Sequence, residues 1–201
     1  MKQLIVISHD RFVPNEAILI ERIIEAGADR IHLRKPQASD CDIEKLLQEI
    51  SPQYYRHIVL HDAHKLAPLY NVGGIHLNSR NPIIPDGWKG DVSRSCHKLE
   101  EIEHNKASYS YTLLSPIFDS ISKEGYKANF SPQNLIQARN SGIIDDSVIA
   151  LGGITCDNVT KALDYGFGGV AVLGHVWCNN NADNIEHIVT QLKKRLICYN
   201  L

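Results

Sequence analysis

Eight short runs rich in Ile, Val and Leu alternate with amphipathic segments along this 201-residue chain, and that alternation constrains its fold most. The runs predict strands at about Gln3–Ser8, Arg30–Arg34, His57–Leu60, Gly74–Leu77, Asp91–Ser95, Tyr109–Leu114, Val148–Leu151 and Gly169–Leu173. Most lack a clean period of two, as strands covered on both faces of a parallel sheet do. Helical spacing is clearest at Asn15–Ala26, Asp42–Ile50, Lys98–Asn105, Pro132–Asn140, Asp157–Tyr165 and Ala182–Leu196. Gly27 follows the first of these as a C′ residue would, and Ser131-Pro132 opens the fourth as cap and first turn. Eight strands with helices between most of them predict a single-domain (β/α)8 TIM barrel over residues 1–201. An open doubly wound sheet usually has fewer strands.

Composition narrows function by exclusion. The chain is 43% hydrophobic and 22% charged, with a formal net charge of -2. It has no basic excess to hold a phosphate backbone, so the expected partner is a small molecule rather than nucleic acid. Five cysteines, odd in number and without a C-x-x-C pair, point with the lack of a signal peptide to reduced thiols in a cytoplasm. The opening MKQLIVISHD has an apolar run too short for a membrane span and reads as a first buried strand. Oligomeric state is left open, a homo-oligomer included.

In a barrel the active site is built from the segments that follow the strands. Those positions collect His32, Arg34, His61, Asp62, His76, Asn78, Ser95 and His97, then Ser120, Ser122 and Lys123 in the long irregular stretch Ser115–Phe130. Gly152-Gly153 ends the seventh strand, and Leu173-Gly174 ends the eighth. Glycines there let backbone N–H groups approach an anion, and barrels often hold phosphate at this place. Lys123 can neutralise phosphate charge while Ser120 and Ser122 donate hydrogen bonds. Arg34, a charge finishing an apolar run, belongs at the barrel mouth. His97 has a side chain suited to proton transfer near neutral pH, whereas His76 reads as a core residue. His61-Asp62-Ala63-His64 lacks a third ligand nearby for zinc; Asp62 alone makes a weak magnesium carboxylate.

Taken in order, these segments resemble the thiamin phosphate synthase/TenI family along nearly the whole chain. Glu25–Asp29 followed by Ile31–Arg34 is similar to the family's "aGad…QLReK", and Gly74–Leu77 to its "GvHLGqeD". Ser95-Cys96-His97 stands where the family has "S-T-H", and Ser115–Lys123 resembles "GPIFpTxTK". Leu151–Ile154 and Gly169–Val172 resemble "iGGI" and "GvAv". The resemblance implies a site for thiazole phosphate, with the phosphate on the Gly153 and Gly174 backbone. For the synthase it implies magnesium and cationic side chains around a departing pyrophosphate.

The chain departs from the synthase pattern at several of these positions. His32 replaces the glutamine, Pro36 the second basic residue (with Lys35 adjacent), His61 the asparagine before Asp62, and Asn81 the metal aspartate of "GqeD". Each change weakens pyrophosphate or magnesium binding, while Ser95, Ser120, Ser122, Lys123 and Gly153 can still hold a monophosphate. The resemblance therefore leans to the TenI branch, thiazole tautomerases that need no metal, with His97, Arg34 and Lys123 as catalytic candidates. The alternatives are a working magnesium-dependent synthase, a non-catalytic thiazole phosphate binder and, more remotely, a barrel isomerase of another pathway.

Overall fold

The computed structural model of the chain describes residues 1–119, 128–177 and 181–199. Its strands are β1 (Gln3–Ile7), β2 (Arg30–Leu33), β3 (Ile58–Leu60), β4 (Gly74–Leu77), β5 (Asp91–Cys96), β6 (Tyr111–Leu114), β7 (Val148–Leu151) and β8 (Gly169–Val172). All are parallel and close into one barrel in sequence order. The seam is β1 on β8, with Gln3 opposite Gly169 and Val6 opposite Val172. A Cβ at Gly169 would lie 2.2 Å from the Gln3 carbonyl oxygen, so closure requires glycine there. The expected TIM barrel is present.

The outer layer consists of α1 (Glu16–Glu25), α2 (Asp40–Glu49), α3 (Ala67–Tyr70), α4 (Leu99–Asn105), α5 (Pro132–Asn140), α6 (Val159–Asp164), α7 (Gly174–Trp177) and α8 (Ala182–Tyr199). α3 and α7 are short turns that periodicity does not reveal, and no helix joins β4 to β5 among the described residues. α1 ends as its sequence predicts: Gly27 takes φ +112°, and the Ala28 N–H returns to the Ile23 carbonyl at 3.2 Å. α5 begins with the Ser131 hydroxyl accepting the Asn134 N–H at 3.1 Å. No described helix is long and apolar enough to cross a membrane. Among the described residues, Cys41, Cys96, Cys156 and Cys198 are free.

Alternate strand residues face two different cores, which is why period two is hidden in the sequence. Leu4, Val6, Ile31, Leu33, Leu60 and Val170 belong to the larger core, shared with residues of the helices. Ile5, Ile7, Tyr111, Leu113, Ile149 and Ala171 form a second cluster. Being the other alternate residues of β1 and β6–β8, they fill the barrel interior. On the β2, β4 and β5 side the matching positions carry His32, His76, Ser93 and Ser95. The interior is thus half apolar and half polar.

Just past β2, Lys35 turns into the segment joining β1 to α1. Its Nζ donates to Glu16 Oε1 at 2.6 Å and to the His9 and Arg11 carbonyls, each at 2.8 Å. Both side chains are almost wholly buried, 1% and 2% exposed. Burial pushes the Glu16 pKa up and that of Lys35 down, so desolvation outweighs the mutual attraction for each. Breaking such a pair from one side leaves an uncompensated buried charge, at a cost of about 3–5 kcal/mol. Glu16→Gln is expected to lose that much in urea unfolding, and replacing both residues with Met to recover most of it. Equal losses in the single and double variants would show that the pair is not the source.

Candidate active site

Because every strand runs the same way, the residues that follow them share one face. Arg34, Asp62, Asn78, Asn81, His97, Ser115, Gly152, Gly153 and Gly174 all lie at carboxyl strand ends. Ser120, Ser122 and Lys123 lie outside the described residues.

On the β7–β8 side, Gly152 and Gly153 take φ +100° and +64°, a region that favours glycine. The chain after β6 crosses them closely: the Ile117 N–H donates to the Leu151 carbonyl at 3.0 Å, and the Phe118 N–H to the Gly152 carbonyl at 3.1 Å. A Cβ at Gly153 would sit 2.3 Å from the Asp119 carbonyl oxygen. The glycine pair is therefore required by turn geometry and by the crossing segment, whatever it binds. No hydrogen bond among the described residues uses the Gly153 N–H. Leu173 and Gly174 are half-buried beside it, at the end of β8.

His97 is exposed just past β5. Its Nδ1 lies 3.1 Å from the Ser115 carbonyl oxygen and 3.3 Å from the Ser115 hydroxyl, and the tautomer that donates to the carbonyl satisfies the shorter contact. In the neutral ring this leaves the lone pair on Nε2. The His97 N–H is held by Glu101 Oε2 at 2.7 Å, which fixes the backbone beneath the ring. Arg34 is half-buried at the end of β2, its own N–H donating to the Ser8 hydroxyl at 2.9 Å. Its guanidinium forms no ion pair among the described residues.

Beneath the mouth the polar half of the interior is a hydrogen-bonded floor. His32 Nε2 lies 2.6 Å from the Tyr111 hydroxyl, and its Nδ1 lies 2.8 Å from His61 Nε2. His76 lies 2.9 Å from both the Ser93 and the Ser95 hydroxyls, and its ring stacks on His61 with centroids 4.1 Å apart. His32 thus sits wholly buried under the site, and His76 is the satisfied core residue that the sequence predicts. One expectation needs correction: the sequence offers no third ligand beside His61 and His64, whereas the structure gathers His61 with His32 and His76. Strand order, invisible in local spacing, brings them together.

These three rings offer donor atoms within 4.8 Å of one another, the one such group among the described residues. As they stand they do not converge on an ion. His61 and His76 are inclined by only 19°, so their in-plane lone pairs point along nearly parallel planes. Both nitrogens of His32 and of His76 are already bonded. Burial pushes all three pKa values down, to about 3 for His76 and well below the ordinary value for His32 and His61. The floor is therefore neutral.

An unfolded histidine titrates near ~6.5 and binds a proton that the folded ring refuses. The stabilisation is complete above that pH and is lost as pH falls toward the folded values. Each neutral ring should contribute a slope of about 1.4 kcal/mol per pH unit in that window. Urea unfolding from pH 7.5 to 4.5 should show stability falling with acid, and His61→Asn should flatten the slope by one ring's share. An unchanged slope in that variant would rule out a depressed His61.

Across the mouth from Gly153, Asp62 is already committed. Its Oδ1 accepts from Arg80 Nη2 at 3.0 Å, Arg80 Nε at 3.3 Å and Asn81 Nδ2 at 3.0 Å, while Oδ2 accepts the Lys35 N–H at 3.3 Å. This donor set does not suit magnesium, which selects anionic oxygens and dehydrates reluctantly. One carboxylate is present, a guanidinium neutralises it, and Asn81 turns its amide nitrogen toward it. Sequence reasoning missed Arg80; the signal was a basic residue inside the stretch resembling "GqeD".

The family described as thiamine monophosphate synthase matches residues 3–176. A crystal structure titled thiamine phosphate pyrophosphorylase, from Bacteroides thetaiotaomicron, is 37% identical with a TM-score of 0.88, covering 97% of this chain and 98% of that one. A thiamine-phosphate synthase of Halalkalibacterium halodurans is 25% identical over 87% of each chain. One from Flavobacterium johnsoniae is 24% identical over 94% of each.

Proposed function

The chain belongs to the thiamine monophosphate synthase family, and from that premise we propose that it is a metal-free tautomerase acting on a thiazole carboxylate phosphate. The carrying observation is the state of the β2–β3 rim. Asp62 is paired with Arg80, and Lys35 is consumed by Glu16, so the rim keeps Arg34 but lacks the carboxylate pair that would hold magnesium on a departing pyrophosphate.

What remains fits a single proton shift. The substrate phosphate is assigned to the backbone of Gly152, Gly153, Leu173 and Gly174, helped by Ser120, Ser122 and Lys123. Ser95, above the His76 floor with His32 deeper still, is assigned to the ring. His97 takes a proton from the thiazole carbon through Nε2 and returns one to the neighbouring atom. No atom enters or leaves overall. Arg34 offsets the negative charge that the ring gathers between the two transfers. Positioned acid–base catalysis of this kind contributes roughly 10²–10⁴-fold.

His97→Ala is therefore expected to lower isomerisation by at least about 10²-fold, with thiazole phosphate binding little changed in calorimetry. The second reading is a working synthase joining a pyrimidine pyrophosphate to thiazole phosphate with magnesium, as the names of the relatives suggest. In that case magnesium would be held by Asp62 alone. Both activities should be assayed on one preparation. Robust magnesium-dependent thiamin phosphate formation would overturn the tautomerase reading, and binding without either turnover would leave a non-catalytic module.

A further inference from the structure

Arg80 is anchored more firmly than a solvated rim arginine. The Asn78 side-chain oxygen accepts the N–H groups of Arg80 at 2.9 Å and Asn81 at 3.1 Å, closing a tight turn after β4. Asn78 also donates to the His61 carbonyl at 2.7 Å, which ties that turn to the end of β3. From this base the guanidinium presents Nε and Nη2 to Asp62 Oδ1. Asp62 is largely buried, its side chain 11% exposed, whereas that of Arg80 is 43% exposed. No hydrogen bond among the described residues engages Nη1. The inner edge of the fork is fixed and part of it remains open.

Arg80 lines a cavity of about 310 Å3 together with Asp40, His64, Lys65 and Asn81 among others. These residues follow β2, β3 and β4, so the cavity belongs to the same face as the mouth. In a ring of eight strands, β3 lies opposite β7. A substrate with its phosphate at Gly153 that spans the mouth would bring its far end toward Arg80.

We propose that Arg80 is the built-in cation of the β3–β4 rim, binding the substrate's second anionic group, its ring carboxylate, at the place where the synthase pattern has a metal aspartate. This rests on the function proposed above. Asp62 and Asn81 then act as positioning residues: Asp62 orients the fork, and the neutral amide of Asn81 avoids a second negative charge beside an anionic ligand. A guanidinium suits the task because it grips a carboxylate bidentately and cannot lose its proton.

Two thiazole phosphates, one bearing the ring carboxylate and one lacking it, separate this idea from the broader reading. In calorimetry the parent should bind the carboxylate form more tightly. Arg80→Gln should weaken that form by at least about tenfold and leave the other unchanged. Equal effects on both probes, or none, would overturn the role of Arg80 while sparing the phosphate site. Failure of both probes to bind the parent would overturn the proposed function instead.

The metal half is decided without substrate, by Mn2+ electron paramagnetic resonance. The parent should leave the free-ion signal intact, and Arg80→Gln combined with Asn81→Asp should attenuate it, with circular dichroism confirming the fold. Mn2+ binding by the parent that is lost in Asp62→Asn would overturn the proposal. So would a folded double variant that gains none.

Discussion

Three imidazoles inside a barrel must be neutral, and much of the candidate site depends on that constraint. Charged rings at van der Waals distance would repel in a medium too poor in water to screen them. Neutral rings can instead donate and accept in series. Tyr111, His32 and His61 do so along one line, and His76 does so between Ser93 and Ser95. The result places satisfied polar groups around Val59 in the β2–β5 half of the interior, where a barrel more often stacks branched apolar side chains. It also fixes Ser95 from below by a group that does not change charge near neutral pH.

The mouth above this floor is divided. Around β5–β8 the chain keeps what its family resemblance led one to expect: Ser95, His97 and the paired glycines. Around β2–β4 it has exchanged those features for others. Histidine stands at 32 and 61, the amide of Asn81 faces Asp62, and an arginine is drawn in to balance that carboxylate. The end proposed to hold a monophosphate keeps the expected residues, while the opposite end carries a different arrangement of charge.

Strand positions were legible because burial on two faces leaves a dense apolar run, and eight such runs alternating with helical segments admit few architectures. Only the ends were displaced, as at β6, where Tyr109 and Ser110 lie before the strand. The long-range pairings were not legible. Lys35 looks like a substitute for the basic residue lost at Pro36, yet Glu16, 19 positions earlier, claims it. Likewise His76 and His61 stack only because parallel β3 and β4 are neighbours in the ring. Local pattern reports burial and turns, whereas a choice of partner depends on the closed register.

The glycine pair after β7 carries a consequence for how such a mouth can change. The segment 116–119 rests on backbone at Gly152 and Gly153, in the space where side chains would be. Any larger residue there must lift that segment or distort the turn. The aperture on this side is therefore set by main-chain contact rather than by rotamers, and it resists gradual adjustment. Related barrels could widen or reshape their opening in one discrete step at this point, with every strand of the sheet left as it was.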